Sequence, residues 1–140
     1  MDDPADRLEE GTELLLDFDK IQQVASRCPG IVPVAVQNAD SMEVILVAYA
    51  NREALEHSLR TRTATFWSTS RNELWIKGAE SGNTFELIEV RVNCEQNSLL
   101  YLVRANSQGI CHTSSSSGRA RDCYYRRLDL ETGVLVNLDP

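Results

Sequence analysis

Short β-like runs separated by turn-forming residues fill the middle of the sequence and limit the folds open to it. The runs cover residues 31–37, 43–50, 63–69, 73–77, 84–92 and 98–104. The segments between them are rich in Asn, Asp, Ser and Gly, which favour turns, and short turns favour antiparallel pairing. In the fifth run the apolar phase slips between Leu87 and Ile88, which indicates either a β-bulge or a strand buried on both faces. The pattern predicts an α+β, β-rich fold with mostly antiparallel sheets.

Two short helices are predicted beside the first pair of strands. In residues 14–27 apolar side chains recur at three- and four-residue steps, and the Cys-Pro-Gly sequence that follows is expected to end the helix. Asn51 is a good N-cap for a second helix, which residues 61–63 are expected to end. The fold class therefore includes one or two short helices.

Length and charge restrict the kind of protein further. A chain of 140 residues with 42% hydrophobic content supports one compact core. Residues 13–140 are therefore predicted to form a single domain after a flexible acidic arm, residues 1–12.

No stretch approaches the roughly 18 apolar residues of a membrane span, so we expect no membrane association and a cytoplasmic location. The net charge of −7 argues against nucleic-acid binding, although a local basic pocket for a small anion is compatible with it.

Four cysteines, Cys28, Cys94, Cys111 and Cys123, allow three interpretations. In a secreted protein they could form two disulfides, whereas in a reducing cytosol clustered thiols favour metal binding or catalysis. The last three, without an obvious fourth cysteine ligand, suit a catalytic zinc ion, which keeps one coordination position for water. The third interpretation is ordinary buried thiols without a metal.

A series of motifs in this order along residues 31–126 resembles the phosphoribosyl-AMP cyclohydrolase family. They are VPVAVQ (32–37), VAYANREAL (47–55), FWSTSR (66–71), LWIKG (74–78), SGN (81–83), CHT (111–113) and CYYR (123–126). Each motif is modest alone, and their order in one short chain makes the resemblance specific. It implies a zinc-dependent hydrolase of histidine biosynthesis that opens the adenine ring of phosphoribosyl-AMP by adding water at the carbon between two ring nitrogens.

The resemblance also implies an intertwined homodimer with shared active sites. Zinc would be held by Cys94 of one subunit and by Cys111 and Cys123 of the other. His112, beside a ligand, would act as the catalytic proton shuttle. The alternative for His112 is a residue that supports the ligands or simply faces solvent.

Substrate contacts are expected from hydroxyls, cations and backbone amides suited to phosphate binding. The residues that the resemblance assigns to the substrate site are Gln37, Trp67, Ser68, Ser70, Arg71, Trp75, Lys77, Ser81 and Gly82. The two tryptophans could stack on a base or simply fill the core. Without the resemblance, a charge beside a turn would be an ordinary surface residue.

Three departures from the family pattern qualify these expectations. Around Cys94 the family has Asp-Cys-Asp-any-Asp, which holds magnesium, and here Asn93, Glu95 and Asn97 leave one carboxylate. Neutral amide oxygens bind magnesium poorly, so a weakened magnesium site is expected and magnesium use is doubtful. The loop between the last two cysteines is longer than in the family and could lend Arg119 or Arg121 to another ligand, and Thr69 stands where the family commonly has Arg.

These departures keep two alternative functions open. One is a diverged hydrolase that acts on another purine-like nucleotide or base. The other is a non-catalytic, zinc-stapled dimer that binds nucleotides or a protein partner. A panel of substrates distinguishes the first alternative, and zinc binding without any turnover would favour the second.

Overall fold

The fold is described from a computed structural model that covers residues 4–79, 82–105, 115, 116, 118 and 121–140. The chain divides into two compact units. Asp19–Ser107 forms one, called the sheet unit, and Met1–Phe18 with Gln108–Pro140 forms the other, called the terminal unit. The elements in chain order are α1 (Pro4–Glu10), α2 (Lys20–Arg27), β1 (Val32–Asn38), β2 (Val44–Ala50), α3 (Arg52–Thr61), β3 (Thr65–Ser68), β4 (Glu73–Ile76), β5 (Phe85–Val92), β6 (Leu99–Ala105), β7 (Arg126–Leu128) and β8 (Leu135–Asn137).

These elements confirm the predicted α+β class with mostly antiparallel sheets. The described residues contain three helices, one more than the upper limit predicted. None of these helices is long and apolar enough to cross a membrane. The homodimer and the single domain over residues 13–140 stay predictions.

The main sheet of the sheet unit has four strands in the order β2-β1-β6-β5. The β1–β2 and β5–β6 pairs are antiparallel, as predicted, whereas β1 and β6 run parallel. Val34 and Val36 of β1 and Tyr101 and Val103 of β6, the two central strands, are fully buried. The register of β5 against β6 shifts between Leu87 and Glu89, so the structure selects the bulge from the two alternatives left open by the sequence.

Helix α3 begins and packs as its sequence predicts. The Asn51 side chain accepts a hydrogen bond from the Ala54 N–H at 2.9 Å, which satisfies a free amide of the first turn. The helix ends at Arg62, whose φ of 59° is left-handed. On its inner face, the buried Ser58 Oγ accepts the Thr65 N–H at 2.8 Å and so ties α3 to β3.

The prediction of a helix over residues 14–27 is wrong in its first half. Helix α2 covers only Lys20–Arg27, and of the predicted apolar stripe only Val24 is buried. Phe18 is 88% exposed and precedes the point at which the chain enters the sheet unit. Because short helices depend on packing for their stability, the helix forms only where its apolar side meets a core.

The terminal unit combines both ends of the chain. Strands β7 and β8 pair antiparallel across a turn in which Gly133 has a φ of 71°, which confirms the predicted C-terminal hairpin. Residues 4–10 of the predicted acidic arm are helical, and the Thr12 carbonyl accepts the Leu135 N–H at 2.8 Å. Flexibility of this arm in solution stays a prediction.

Candidate substrate and metal site

A pocket of about 350 Å³ lies in the sheet unit between β2 and the β3–β4 hairpin. It contains five of the predicted substrate residues, together with aliphatic and aromatic side chains of β2. Its lining residues are Leu46, Val47, Ala48, Tyr49, Trp67, Ser68, Thr69, Ser70, Arg71 and Trp75. Tyr49 and Thr69 were not assigned to the substrate site from the sequence.

The β3–β4 hairpin sets the positions of the two tryptophans. Phe66 pairs with Trp75 and Trp67 with Leu74 in the antiparallel register. Trp67 Nε1 donates to Asn72 Oδ1 at 3.0 Å, which fixes the indole against a turn residue of left-handed φ. The Trp75 ring centroid lies 5.6 Å from that of buried Phe66, so Trp75 contacts the core while it also lines the pocket.

A short hydroxyl and cation cluster follows β3 at one side of the pocket. Buried Ser68 accepts the Arg71 N–H at 3.3 Å, and its Oγ lies 3.4 Å from Ser70 Oγ. The Arg71 side chain is 61% exposed and lies 3.5 Å from a Glu73 carboxylate oxygen. Because an exposed ion pair is weak, an anionic ligand can compete with Glu73 for the guanidinium.

The C-terminal end of α2 contacts the turn after β3 at Thr69 and Ser70. Arg27 Nη2 donates to the Ser70 carbonyl at 3.2 Å, and Cys28 Sγ lies 3.6 Å from the Thr69 carbonyl. Cys28 is 1% exposed, which agrees with a structural thiol. The role of Arg27 was missed because no local motif marks a contact between residues 43 positions apart.

Of the remaining predicted substrate residues, the three that the structure describes do not line this pocket. Gln37 Nε2 donates to the Met42 carbonyl at 2.7 Å within the β1–β2 hairpin. Lys77 is half-buried at the end of β4 and Gly82 is exposed, while Ser81 lies outside the described residues. The role of these four residues in substrate binding stays a prediction.

Gly78 explains why the motif after Lys77 contains glycine. Its φ is 80°, and a Cβ placed on it would lie 2.1 Å from the Asn83 carbonyl oxygen. Any other side chain would therefore push residues 78 and 83 apart and disturb the end of β4.

A larger pocket of about 680 Å³ lies elsewhere in the sheet unit. Its lining includes Val32 and Leu55, and Val92, Gln96 and Ser98 around the β5–β6 turn. None of the predicted substrate residues within the described part of the chain lines it. We therefore take the smaller pocket, which contains the hydroxyl and cation cluster, as the candidate substrate site.

The described cysteines differ in their availability to a metal. Cys94 lies exposed in the β5–β6 turn of the sheet unit, and Cys123 is exposed in the terminal unit. Cys28 is buried, and its thiol donates to the Thr69 carbonyl. Among the described residues no group of three or more His, Cys, Asp and Glu side chains could hold a metal ion, and the predicted Cys111 and His112 lie outside them.

Cys94 and Cys123 fit a zinc site by their chemistry. Both are soft thiol donors that solvent can reach, and zinc favours thiolate ligands. Partial burial raises the pKa of the neighbouring Tyr124 hydroxyl, and the negative charge of Cys123 acts in the same direction.

The turn around Cys94 does not fit a magnesium ion. Asn93 Oδ1 accepts the backbone N–H groups of Asn97 and Ser98, both at 2.9 Å. Asn97 Oδ1 accepts from Asn93 Nδ2 at 2.6 Å, and Glu95 Oε2 accepts from Asn97 Nδ2 at 3.3 Å. In each residue predicted for the weakened magnesium site, one side-chain oxygen thus already accepts a hydrogen bond within the turn. Magnesium prefers several anionic oxygens in octahedral geometry, and this turn offers one carboxylate.

Comparisons with known proteins agree on one family. A family model described as phosphoribosyl-AMP cyclohydrolase matches residues 46–125, more than half of the chain. A phosphoribosyl-AMP cyclohydrolase of Nitrosopumilus maritimus is 46% identical over 113 residues, which cover 81% of this chain and 93% of that protein. One of Halobacterium salinarum is 48% identical over 103 residues, or 74% and 75% of the two chains. The histidine biosynthesis bifunctional protein HisIE of Thermus thermophilus is 48% identical over 99 residues, 71% of this chain and 44% of that protein.

Proposed function

The chain belongs to the phosphoribosyl-AMP cyclohydrolase family, and on that basis we propose that it opens the adenine ring of phosphoribosyl-AMP by hydrolysis in histidine biosynthesis. The observation that carries this proposal is the pocket between β2 and the β3–β4 hairpin. There the family-like FWSTSR motif supplies one indole ring, hydroxyls and a cation to one space of about 350 Å³.

The pocket residues have complementary roles in binding such a substrate. The Arg71 guanidinium, exposed beside Glu73, binds a phosphate of the substrate, and the Ser70 hydroxyl donates to the same group. Trp67 and Trp75 provide flat apolar surface for the purine. Arg27 and Cys28 keep the turn at Thr69 and Ser70 in place, so that these groups are oriented before the substrate arrives.

The hydrolytic centre is proposed to contain zinc held by Cys94, Cys111 and Cys123, with Cys94 from one subunit of a homodimer and the other two from its partner. When bound, zinc lowers the pKa of a water molecule to roughly 7, which makes a nucleophile available at neutral pH. His112 accepts and delivers the proton during ring opening. Dimerisation would then be a condition for activity.

Turnover of phosphoribosyl-AMP by the purified protein with zinc tests the proposal. We expect a change in ultraviolet absorbance as the six-membered ring opens, and no change with AMP or adenosine. Turnover of another purine nucleotide but not of phosphoribosyl-AMP would contradict the proposal and support the diverged hydrolase. Zinc binding without turnover of any purine would support the non-catalytic dimer.

Magnesium is expected to have no effect on this protein. Because hydrogen bonds within the β5–β6 turn use the candidate ligand oxygens, adding magnesium chloride to zinc-loaded protein should leave kcat/KM and the melting temperature unchanged. Sodium chloride of equal ionic strength controls for salt effects on the charged pocket. A rise of activity that saturates with magnesium and not with sodium would contradict this expectation.

Replacing Arg71 with alanine is expected to raise KM for phosphoribosyl-AMP by roughly tenfold to a hundredfold, since a hydrogen bond to a charged group contributes about 1.5–3 kcal/mol. Arg91→Ala is a matched control, because Arg91 is also exposed and also paired with a nearby carboxylate, Glu89, but does not line the pocket. Steady-state kinetics of both variants with phosphoribosyl-AMP give the two KM values to compare. Equal KM values for R71A and R91A would remove Arg71 from the substrate site.

A further inference from the structure

The N-terminal segment contacts the stretch of chain that carries Cys123. Residues 4–12, here called the N-terminal brace, consist of α1 and the two residues after it. Residues 121–126, the Cys123 segment, form hydrogen bonds to Glu9, Glu10 and Gly11 of the brace. The brace lies outside the part of the chain that the family model matches.

An ion pair between buried Arg121 and partly exposed Glu10 forms the first of these connections. Arg121 is 3% exposed, and its Nη1 and Nη2 atoms donate to the two Glu10 carboxylate oxygens at 2.9 and 3.3 Å. The guanidinium carbon also lies 4.3 Å from the centroid of the Tyr125 ring. Because a buried guanidinium without its counter-ion is strongly disfavoured, Glu10 fixes the position of Arg121. Arg121 is therefore engaged inside the terminal unit.

Two further hydrogen bonds hold the other side of the Cys123 segment. Tyr125 Oη donates to the Glu9 carbonyl at 2.6 Å, and Arg126 Nη1 donates to the Gly11 carbonyl at 3.1 Å. Cys123 itself is exposed between these anchors. An otherwise irregular stretch, with a thiol at its centre, is thus tied to the brace two residues before and two residues after that thiol.

We propose that the N-terminal brace positions Cys123 for zinc binding. This inference rests on the zinc site of the proposed function and assigns a task to a segment whose sequence indicates only an acidic arm. A metal ligand on an irregular segment binds well only if that segment is ordered before the metal arrives. The hydrogen bonds to the brace hold the Cys123 segment in one conformation. Glu10, Arg121 and Tyr125 are accordingly positioning residues that do not touch the metal.

Glu10→Gln is the direct test, with Glu13→Gln as the matched control. Both replacements remove one negative charge from a carboxylate paired with an arginine, but the Arg7–Glu13 pair is exposed, with side chains 59% and 58% accessible. We expect E10Q to weaken zinc affinity about tenfold, the low end for residues that support metal ligands, and E13Q to leave it unchanged. Competition with a chromophoric zinc chelator measures the affinity without any activity assay.

Tyr125→Phe tests the same idea without burying an unpaired charge. It removes the hydroxyl that donates to Glu9 and keeps the ring beside Arg121, so the variant should fold and bind zinc several-fold more weakly. Circular dichroism at the temperature of the titration checks that each variant is folded.

Zinc affinities of folded E10Q and Y125F equal to that of the unchanged protein would overturn the proposal. If the unchanged protein still hydrolyses phosphoribosyl-AMP in that case, only the role of the brace fails. If the unchanged protein binds no zinc, the brace proposal fails together with the zinc site, while the turnover assay judges the hydrolase function separately.

Discussion

Replacing Cys94 with serine is expected to lower kcat/KM for phosphoribosyl-AMP by at least about a thousandfold, because a bound metal supplies several kcal/mol of transition-state stabilisation and about 1.4 kcal/mol corresponds to tenfold in rate. Serine keeps the size of the side chain but does not provide the soft thiolate that zinc prefers. The exposed position of Cys94 in the β5–β6 turn means that the replacement should not disturb the core. Zinc content per chain, measured by atomic emission, should fall together with activity.

Cys28→Ser is the control for this experiment. Cys28 is buried and its sulfur lies near the Thr69 carbonyl, so serine retains a donor at the same place. We expect C28S to keep its zinc and most of its activity, with any loss appearing in thermal stability. Full activity in C94S, or loss of zinc in C28S with zinc retained in C94S, would contradict the assignment of the metal ligands.

Replacing Phe66 with alanine is expected to lower the free energy of unfolding by about 3–5 kcal/mol, the range for truncating a buried Phe. Phe66 is fully buried, and its ring centroid lies 5.6 Å from Trp75 and 5.7 Å from Tyr101. The cavity left behind would open between the β3–β4 hairpin and the main sheet. Since Trp75 also lines the substrate pocket, F66A should raise KM even at temperatures where it is folded.

Phe18→Ala is the matched control, because it deletes the same atoms from a ring that is 88% exposed. We expect that variant to change stability by less than about 0.5 kcal/mol. Urea unfolding followed by tryptophan fluorescence measures both variants. Equal losses for F66A and F18A would show that the β3–β4 hairpin does not pack on the sheet as described.

Features that depend on neighbouring residues could be predicted from the sequence. The Asn51 cap and the turn at Gly133 each follow from local chemistry, and the structure contains both. The phase slip at Leu87 was also visible, although only the structure shows that it is a bulge. The strands were also found close to their true bounds, because alternation and turn residues mark them. The order of strands in a sheet has no comparable local signal, and the parallel pairing of β1 with β6 was therefore not foreseen.

In the candidate site, too, residues close in sequence could be predicted and contacts between distant residues could not. Trp67, Ser68, Ser70 and Arg71 are close in sequence, and the pocket indeed contains them together. Arg27 and Glu10 act on segments 43 and 111 residues away, respectively, through contacts that exist only in the folded chain. The acidic composition of residues 1–12 does not reveal that one of their carboxylates, Glu10, pairs with buried Arg121.

Titrating metal-free protein with zinc while ring opening is followed tests the central claim most directly. We predict no turnover of phosphoribosyl-AMP by the chelator-treated protein, followed by activity that rises in proportion to added zinc and stops rising at one zinc per chain. Full activity in protein shown to be free of zinc, or no activity at any zinc content, would contradict it.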